Sequence, residues 1–177
     1  MDHEARHRFV AENCVCVYGY PRKSEGPAMT LGYYALDGNY LCYITMASRA
    51  KAKAALRDHR ASMCILDMKR PPSYLQVYGT VTVETDLDYV VDIFRQILRK
   101  EMVNEGNAAS VDGAGTSGDD LRTWCREEER VVLRLTPHST FYSPPTRGRD
   151  ATEKLEYRRT LGDIQEGSLR VGTMLPW

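Results

Sequence analysis

Four polar residues at the start of one predicted helix have the types and spacing of an anion-binding site. They are Ser48, Arg49, Lys51 and Lys53, and they follow a predicted strand over residues 40–46. A helix N-terminus has unpaired N–H groups and the positive end of the helix dipole, so it attracts anions. The same dipole disfavours cations at this position, so the clustering of three cations needs a reason. A bound phosphate group would provide it, and we therefore predict a phosphate site.

The elements that position these residues are strands interrupted by a few helices. An alternating pattern rich in β-favouring residues predicts the strands, and Asp37-Gly38-Asn39 predicts a hairpin between the second and the third. Ser48 is the predicted N-cap of the second helix and Asp86 that of the third. The predicted strands cover residues 14–20, 28–36, 40–46, 61–67, 73–85 and 130–136, the last ended by Pro137, and the predicted helices cover residues 2–12, 48–59, 86–98 and 121–128.

The number and order of these elements predict a mainly β fold with peripheral helices. About six antiparallel strands with so few helices favour a closed or half-closed, Greek-key-like barrel over a parallel α/β sheet. We expect residues 1–145 to form this barrel domain. Residues 146–177 form a polar tail without a clear period, which we expect to pack on a partner chain. Residues 106–118, rich in Gly, Ala and Ser, are expected to form a surface loop.

Composition excludes several classes of partner. The chain has 24 Lys and Arg residues against 24 Asp and Glu residues, so its charge does not favour nucleic acid or a membrane surface. No apolar run is long enough to span a bilayer, and the charged N-terminal sequence is not a secretory signal. The five cysteines show no metal-ligand spacing and fit buried positions in a reducing cytoplasm. We therefore expect a cytoplasmic protein without a metal site.

The sequence contains no pattern typical of a protein nucleophile or of a nucleotide-binding loop. Ser24, Ser62 and Ser110 lack the G-x-S-x-G context, and G-x-x-x-x-G-K-[ST] does not occur. The spacing G-x-G-x-x-G occurs at residues 113–118, but there it lies in the predicted surface loop and not directly after a predicted strand, so it is not a dinucleotide-binding fingerprint. No catalytic residue is therefore predicted. This absence fits an enzyme whose cofactor carries the chemistry while the protein supplies binding and orientation.

One long segment resembles a known family. The segment GPAMTLGYYALDGNYLCYITMASRAKAKAALRDHRASMCILD, followed by SYLQVYGTVTVETD, resembles the pyridoxamine-phosphate-oxidase-like split-barrel flavoproteins. That family includes flavin- and deazaflavin-dependent oxidoreductases. The resemblance covers roughly residues 8 to 136 in the order of elements. It implies an FMN-binding split barrel.

The resemblance also implies a site, a cofactor and a partner. The cofactor would be FMN, or alternatively the deazaflavin F420, held at the interface of a homodimer. The reaction would be hydride transfer between this cofactor and a small planar organic substrate. Lys69 and Arg70 would serve the longer anion of the deazaflavin. The implied cofactor-binding residues are Met29, Thr30, Leu31, Thr45, Ser48, Arg49, Lys51, Lys53, Gln76 and Tyr78.

Two other functions remain open at this point. The first is a split barrel that carries a flavin or haem without turnover, and the second is a β-barrel interaction domain without a cofactor. The C-terminal sequence GSLRVGTMLPW lacks the Arg-x-His signature of relatives specific for pyridoxamine phosphate. Oxidation of pyridoxamine phosphate itself is therefore not expected.

Overall fold

The computed structural model describes residues 2–69, 73–104, 118–143 and 174–177. The predicted loop over residues 106–118 lies almost wholly outside the described residues, as do residues 146–173 of the predicted tail. The elements are α1 (His3–Glu12), β1 (Val15–Tyr20), β2 (Ala28–Asp37), β3 (Tyr40–Met46), α2 (Ala50–Arg57), β4 (Arg60–Asp67), β5 (Ser73–Glu84), α3 (Leu87–Asn104), α4 (Gly118–Glu127), β6 (Arg130–Ser143) and β7 (Leu175–Pro176).

Six antiparallel strands close into a barrel. The strand order is β3-β2-β1-β4-β5-β6, and β6 pairs with β3 to complete the ring. The short β7 adds to β6 beside Ser139 and Thr140. Inward-facing apolar side chains fill the barrel, and α2 contributes Ala52, Ala54 and Ala55 to this core. The predicted mainly β split-barrel class is confirmed.

The barrel opens between β2 and β3. Residues 34–37 of β2 pair with residues 40–43 of β3, but among the strands that the structure describes residues 28–33 pair only with β1. Strand β3 lies between β2 and β6. Its residues 44–46 pair with β6 but not with β2. We call the gap between residues 28–33 and residues 44–46 the split.

The start of α2 differs from the prediction. Arg49, and not Ser48, is the N-cap residue, and no side chain caps the helix. The Arg49 N–H instead donates to the Met46 carbonyl at 3.1 Å, which closes a tight turn out of β3. A backbone hydrogen bond therefore forms the turn that precedes α2, and the Ser48 side chain does not cap the helix. The prediction of a Ser48 cap is wrong.

The end of β6 also differs from the prediction. The strand continues through Pro137 to Ser143 and was not ended by the proline. The register with β5 shifts there: Gly79 lies opposite Pro137 and Tyr78 lies opposite Ser139. His138 is therefore the extra residue of a bulge. Bulges accept proline because the ladder is already interrupted, so Pro137 does not end the strand.

Three helices, α1, α3 and α4, pack on the outside of the barrel. The Tyr34 hydroxyl, fully buried, donates to the Val10 carbonyl of α1 at 2.7 Å. On another side, α3 and α4 cover Ala35, Cys42 and Val132 with a second apolar cluster. The Asp86 carboxylate accepts the Tyr89 N–H at 2.9 Å, so Asp86 caps α3 as predicted. These contacts hold α1, α3 and α4 against the barrel.

Candidate functional site

Tyr43 lies at the split, at the point where β3 leaves β2. Its side chain is only 5% exposed, and its ring centroid is 5.1 Å from that of Tyr18 inside the barrel. Its hydroxyl donates to the Leu31 carbonyl of β2 at 3.4 Å. Burial raises the pKa of Tyr43, and the neighbouring Thr30 hydroxyl partly offsets this. Tyr43 is therefore a neutral hydroxyl at this edge of β2.

Lys51 brings a positive charge to the same place. Its ammonium nitrogen is 5.2 Å from the centroid of the Tyr43 ring, within the range of a cation–π interaction. The side chain is half-buried, and burial followed by the neighbouring Arg49 lowers the pKa of Lys51. Among the described residues no carboxylate forms an ion pair with Lys51. A desolvated cation without a counter-charge is the expected partner of an anionic ligand.

The first turn of α2 adds backbone donors. Because no side chain caps this helix, its first N–H groups are not satisfied by a side chain and can bind an anion. The turn is held by a hydrogen bond of 2.9 Å from the Ala47 N–H to the Glu129 carbonyl. Glu129 has a φ of 48°, which is uncommon for a residue other than glycine. The chain between β3 and α2 is therefore fixed by the turn that precedes β6.

The structure separates the predicted cofactor-binding residues into two groups. The first group surrounds the split and the start of α2. In it, Thr45 is buried on the same face of β3 as Tyr43, whereas Ser48 and Lys53 are exposed. Lys51 is the lysine that reaches Tyr43, so the two lysines are no longer equivalent. The members of the first group are Thr30, Thr45, Ser48, Arg49, Lys51 and Lys53.

The second group lies on the outer surface of the sheet formed by β2, β1, β4 and β5. Met29 and Leu31 are 72% and 69% exposed, which is unusual for large apolar side chains. The ladders place Leu31, Val17, Cys64 and Gln76 in one row across four strands. We call this surface the outer face; its exposed or half-exposed members are Val17, Met29, Leu31, Tyr33, Ser62, Cys64, Tyr74, Gln76 and Tyr78.

A groove crosses the outer face. It has a volume of about 390 Å³. Gly19 lies between Met29 and Ser62 in the neighbouring row and contributes no side chain to the face. A Cβ atom at Gly19 would lie 2.8 Å from the Ser62 hydroxyl oxygen, so the groove depends on this glycine. The lining residues are Val17, Gly19, Tyr20, Pro21, Pro27, Met29, Arg60, Ala61, Ser62, Cys64, Gln76 and Tyr78.

Two parts of this arrangement were not predicted. Tyr43 lay in a predicted strand, and alternation places it on the same face as Thr45, but only the pairing of β2 with β3 reveals its position at the split. The groove depends on the pairing of β1 with β4, and β2, β3 and α2 separate these two strands in the sequence. Neither the strand pattern nor the basic residues at the start of α2 contains that information.

Two kinds of feature are absent from the described ranges. No helix there has the length and apolar character needed to cross a membrane. No group of three or more His, Cys, Asp or Glu side chains in those ranges is arranged to hold a metal ion.

Comparisons with known proteins identify the fold. Protein-family models and curated protein sequences gave no match. Among solved structures, the conserved hypothetical protein Rv2991 of Mycobacterium tuberculosis has a TM-score of 0.63 at 15% identity, covering 86% of this chain and 94% of that one. A candidate pyridoxamine 5'-phosphate oxidase from Listeria innocua has a TM-score of 0.53 at 15% identity, covering 78% and 95%. An F420 reductase has a TM-score of 0.52 at 17% identity, covering 76% and 94%. The chain therefore has the split-barrel fold of the pyridoxamine-phosphate-oxidase-like proteins.

Proposed function

We propose that this protein is a flavin- or deazaflavin-dependent oxidoreductase that transfers a hydride between its cofactor and a small planar organic substrate. The observation that carries the proposal is the half-buried Lys51 over Tyr43 at the split, beside the uncapped start of α2. In the described part of the chain Lys51 has no carboxylate as an ion-pair partner. A single cofactor phosphate would pair with the charge of Lys51 and would also accept hydrogen bonds from the first N–H groups of α2. FMN is placed ahead of F420 because the cations at the start of α2 suit a single phosphate.

The chain's own residues define how such a cofactor would be held. Lys51, Arg49 and the first N–H groups of α2 would bind the phosphate. Residues 28–33 of β2 pair on one side only, so their free backbone groups and Thr30 would hydrogen-bond the polar edge of the ring system. The cofactor supplies the hydride chemistry, and these groups supply its position and its electrostatic environment.

We also propose that two copies of the chain associate through the outer face. Met29, Leu31 and Tyr74 are exposed on one continuous surface, and surfaces of this kind mark interaction sites. Gln76 and Tyr78 would then contact the cofactor of the partner from the β5 side. The cofactor would lie between the two copies, which excludes water from the ring.

The fold neighbours support this choice of reaction class by analogy. An F420 reductase and a candidate pyridoxamine 5'-phosphate oxidase share the fold, and both are named for redox chemistry. Because one fold hosts several functions, the analogy alone is weaker than the site itself. The site and the analogy point to the same class.

The test is an absorption spectrum of the purified protein followed by separate titrations with FMN and F420. We expect binding near one cofactor per chain. Lys51→Gln removes a charge-assisted contact and is expected to weaken FMN binding by about tenfold to a hundredfold. Arg99→Gln, an exposed change on α3, is the charge-matched control and should bind FMN normally.

The outcome separates the candidate functions. Binding followed by reduction with a nicotinamide and reoxidation by an acceptor would support the oxidoreductase. Binding without reduction would favour a non-catalytic flavin or haem carrier. If neither cofactor binds, or if Lys51→Gln binds FMN like the unmodified protein, the proposal fails.

A further inference from the structure

The turn that joins α4 to β6 contacts the chain just before the start of α2. It consists of Glu128 and Glu129. The Glu129 carbonyl accepts the Ala47 N–H at 2.9 Å, and Arg130, the first residue of β6, pairs with Met46 at the end of β3. This turn therefore lies beside the residues that would bind the cofactor phosphate.

Arg130 fixes the side chain of Glu128. The Nη2 atom of Arg130 is 2.6 Å from the Oε2 atom of Glu128. The guanidinium carbon of Arg130 lies 4.5 Å from the ring centroid of Phe94 and 4.5 Å from that of Trp124, within the range of a cation–π interaction. A planar guanidinium stacked on two rings has little freedom, so the carboxylate paired with it has little freedom as well.

The surroundings of Glu128 keep its carboxylate ionised. The Trp124 indole N–H donates to this carboxylate and is the largest cause of the lowered pKa of Glu128. Burial has the opposite effect, and the charges of Arg130 and Arg49 lower the pKa further. The carboxylate of Glu128 therefore lies near enough to Arg49 for the two charges to attract each other.

Arg49 occupies a position where a cation needs a negative group nearby. It is the N-cap residue of α2, where the helix dipole disfavours a cation, and its side chain is exposed. A phosphate compensates this charge only when a cofactor is bound. Glu128 supplies a negative group from the chain itself. A side chain that is already oriented loses less freedom when it binds a ligand.

We propose that Glu128 is a positioning residue for the cofactor phosphate, because its fixed carboxylate orients the Arg49 guanidinium towards the first turn of α2. As a statement about the cofactor, this rests on the proposed function. The alternative is a carboxylate that only repels the phosphate. The two roles differ in sign: loss of the charge weakens phosphate binding in the first case and strengthens it in the second.

The binding test compares FMN with riboflavin, which lacks the phosphate. Glu128→Gln removes the charge and nearly keeps the shape of the side chain. It is expected to weaken FMN binding by about threefold to tenfold, because Arg49 is no longer oriented. Riboflavin affinity should stay within about twofold, because riboflavin has no group for Arg49 to bind. Glu127→Gln removes the same charge at the exposed neighbouring position and should change neither affinity.

A double variant tests whether Glu128 acts through Arg49. Arg49→Gln alone should weaken FMN binding, and adding Glu128→Gln should weaken it no further, because the side chain that Glu128 orients is then absent. A carboxylate that only repels the phosphate would give stronger FMN binding in both backgrounds. A merely structural role would weaken riboflavin binding as well. Either result overturns the inference, as does a Glu128→Gln protein that binds FMN like the unmodified protein.

A second measurement needs no cofactor. Phenylglyoxal modifies arginine side chains, and mass spectrometry of the digested protein gives the rate at Arg49. We expect Arg49 to react about twofold to fivefold faster in the Glu128→Gln protein than in the unmodified and Glu127→Gln proteins, because no carboxylate then holds its guanidinium. Circular dichroism checks that all three proteins are folded. An equal rate at Arg49 in the three proteins overturns the inference.

The two proposals fail separately. A protein that binds neither FMN nor F420 loses the oxidoreductase proposal, and the modification rate of Arg49 then decides whether Glu128 orients it. FMN binding that depends on Lys51 but not on Glu128 would support the oxidoreductase and remove the positioning role.

Discussion

Tyr43 connects the interior of the barrel, the edge of β2 and the helix that carries Lys51. Its ring contacts Tyr18 on one side, and its hydroxyl reaches the Leu31 carbonyl. The Lys51 ammonium lies over this ring. Lys53, two residues further along α2, is exposed and does not make this contact. Residue type and helix position favour both lysines equally, and the tertiary contact distinguishes them.

His7 is a second residue whose surroundings bear on its chemistry. Its ring lies 4.4 Å from those of His3 and Trp177, measured between centroids. Arg6 on the same helix donates to the Pro176 carbonyl at 2.7 Å. Burial, then His3 and Arg6, lower the pKa of His7 below its ordinary value of 6.5.

The lowered pKa predicts that contact between Trp177 and α1 depends on pH. A base whose pKa is lowered by docking contributes its stabilisation in full above 6.5, and this stabilisation is lost as the pH falls below that value. In a Trp124→Phe background, where Trp177 is the remaining tryptophan, its emission should shift to longer wavelength as the pH falls below 6.5.

A His7→Gln version of the same protein provides the comparison. It should lack this transition, because glutamine does not titrate in that range. An identical shift with and without His7 would contradict the assignment.

At the scale of elements, β2 owes its close approach to Tyr43 to a glycine. A Cβ atom at Gly32 would lie 2.5 Å from the Tyr43 hydroxyl oxygen and 2.9 Å from the Cζ atom of its ring. Gly32→Ala is therefore expected to displace the ring, to destabilise the fold by about 1–3 kcal/mol and to weaken FMN binding. Thermal unfolding and FMN titration measure the two effects.

Gly26→Ala is the matched control for this prediction. An added Cβ atom at Gly26 would meet nothing within 4 Å. Its stability and FMN affinity should stay unchanged. If Gly32→Ala behaves in the same way, the Tyr43 ring does not depend on the backbone of β2 for its position.

Most elements could be predicted because their patterns are local. The alternation of Leu75, Val77 and Val81 with Tyr74, Gln76 and Tyr78 places the core and outer faces of β5 correctly. The hairpin at Asp37-Gly38-Asn39 also forms, with Gly38 at a φ of 56°. Local signals of this kind require no knowledge of distant strands.

The prediction failed where a distant strand decides the local structure. Pro137 would end an isolated strand, yet the bulge opposite Gly79 accommodates it. Ser48 has the residue type of a cap, but the turn out of β3 places Arg49 at that position. The groove arises from Gly19 of β1 beside Ser62 of β4, so it depends on sheet register. The continuation of β6 past Pro137, the start of α2 and the groove all depend on contacts between residues that are distant in sequence.

At the scale of the whole molecule, the outer face predicts the oligomeric state. We expect a homodimer by light scattering at working concentration. Tyr74→Asp places a charge on this surface and should shift the equilibrium towards monomer by about a hundredfold or more in the dissociation constant, because burying an unpaired charge is costly.

Thr123→Asp adds the same charge at an exposed position on α4, away from the outer face. It should leave the dimer intact. An unmodified protein that is monomeric, or a Tyr74→Asp protein that dimerises normally, would contradict the proposed interface.

The split has a consequence for the behaviour of the protein in storage and handling. Residues 28–33, Ala-Met-Thr-Leu-Gly-Tyr, carry no charge, and one edge of their hydrogen-bonding groups has no neighbouring strand in the described part of the chain. Uncharged free edges template the pairing of one chain with another, which leads to aggregation. A ligand or a second subunit bound over this edge would therefore protect the protein against aggregation. Protein that is monomeric and free of ligand is expected to aggregate through β2 and to precipitate.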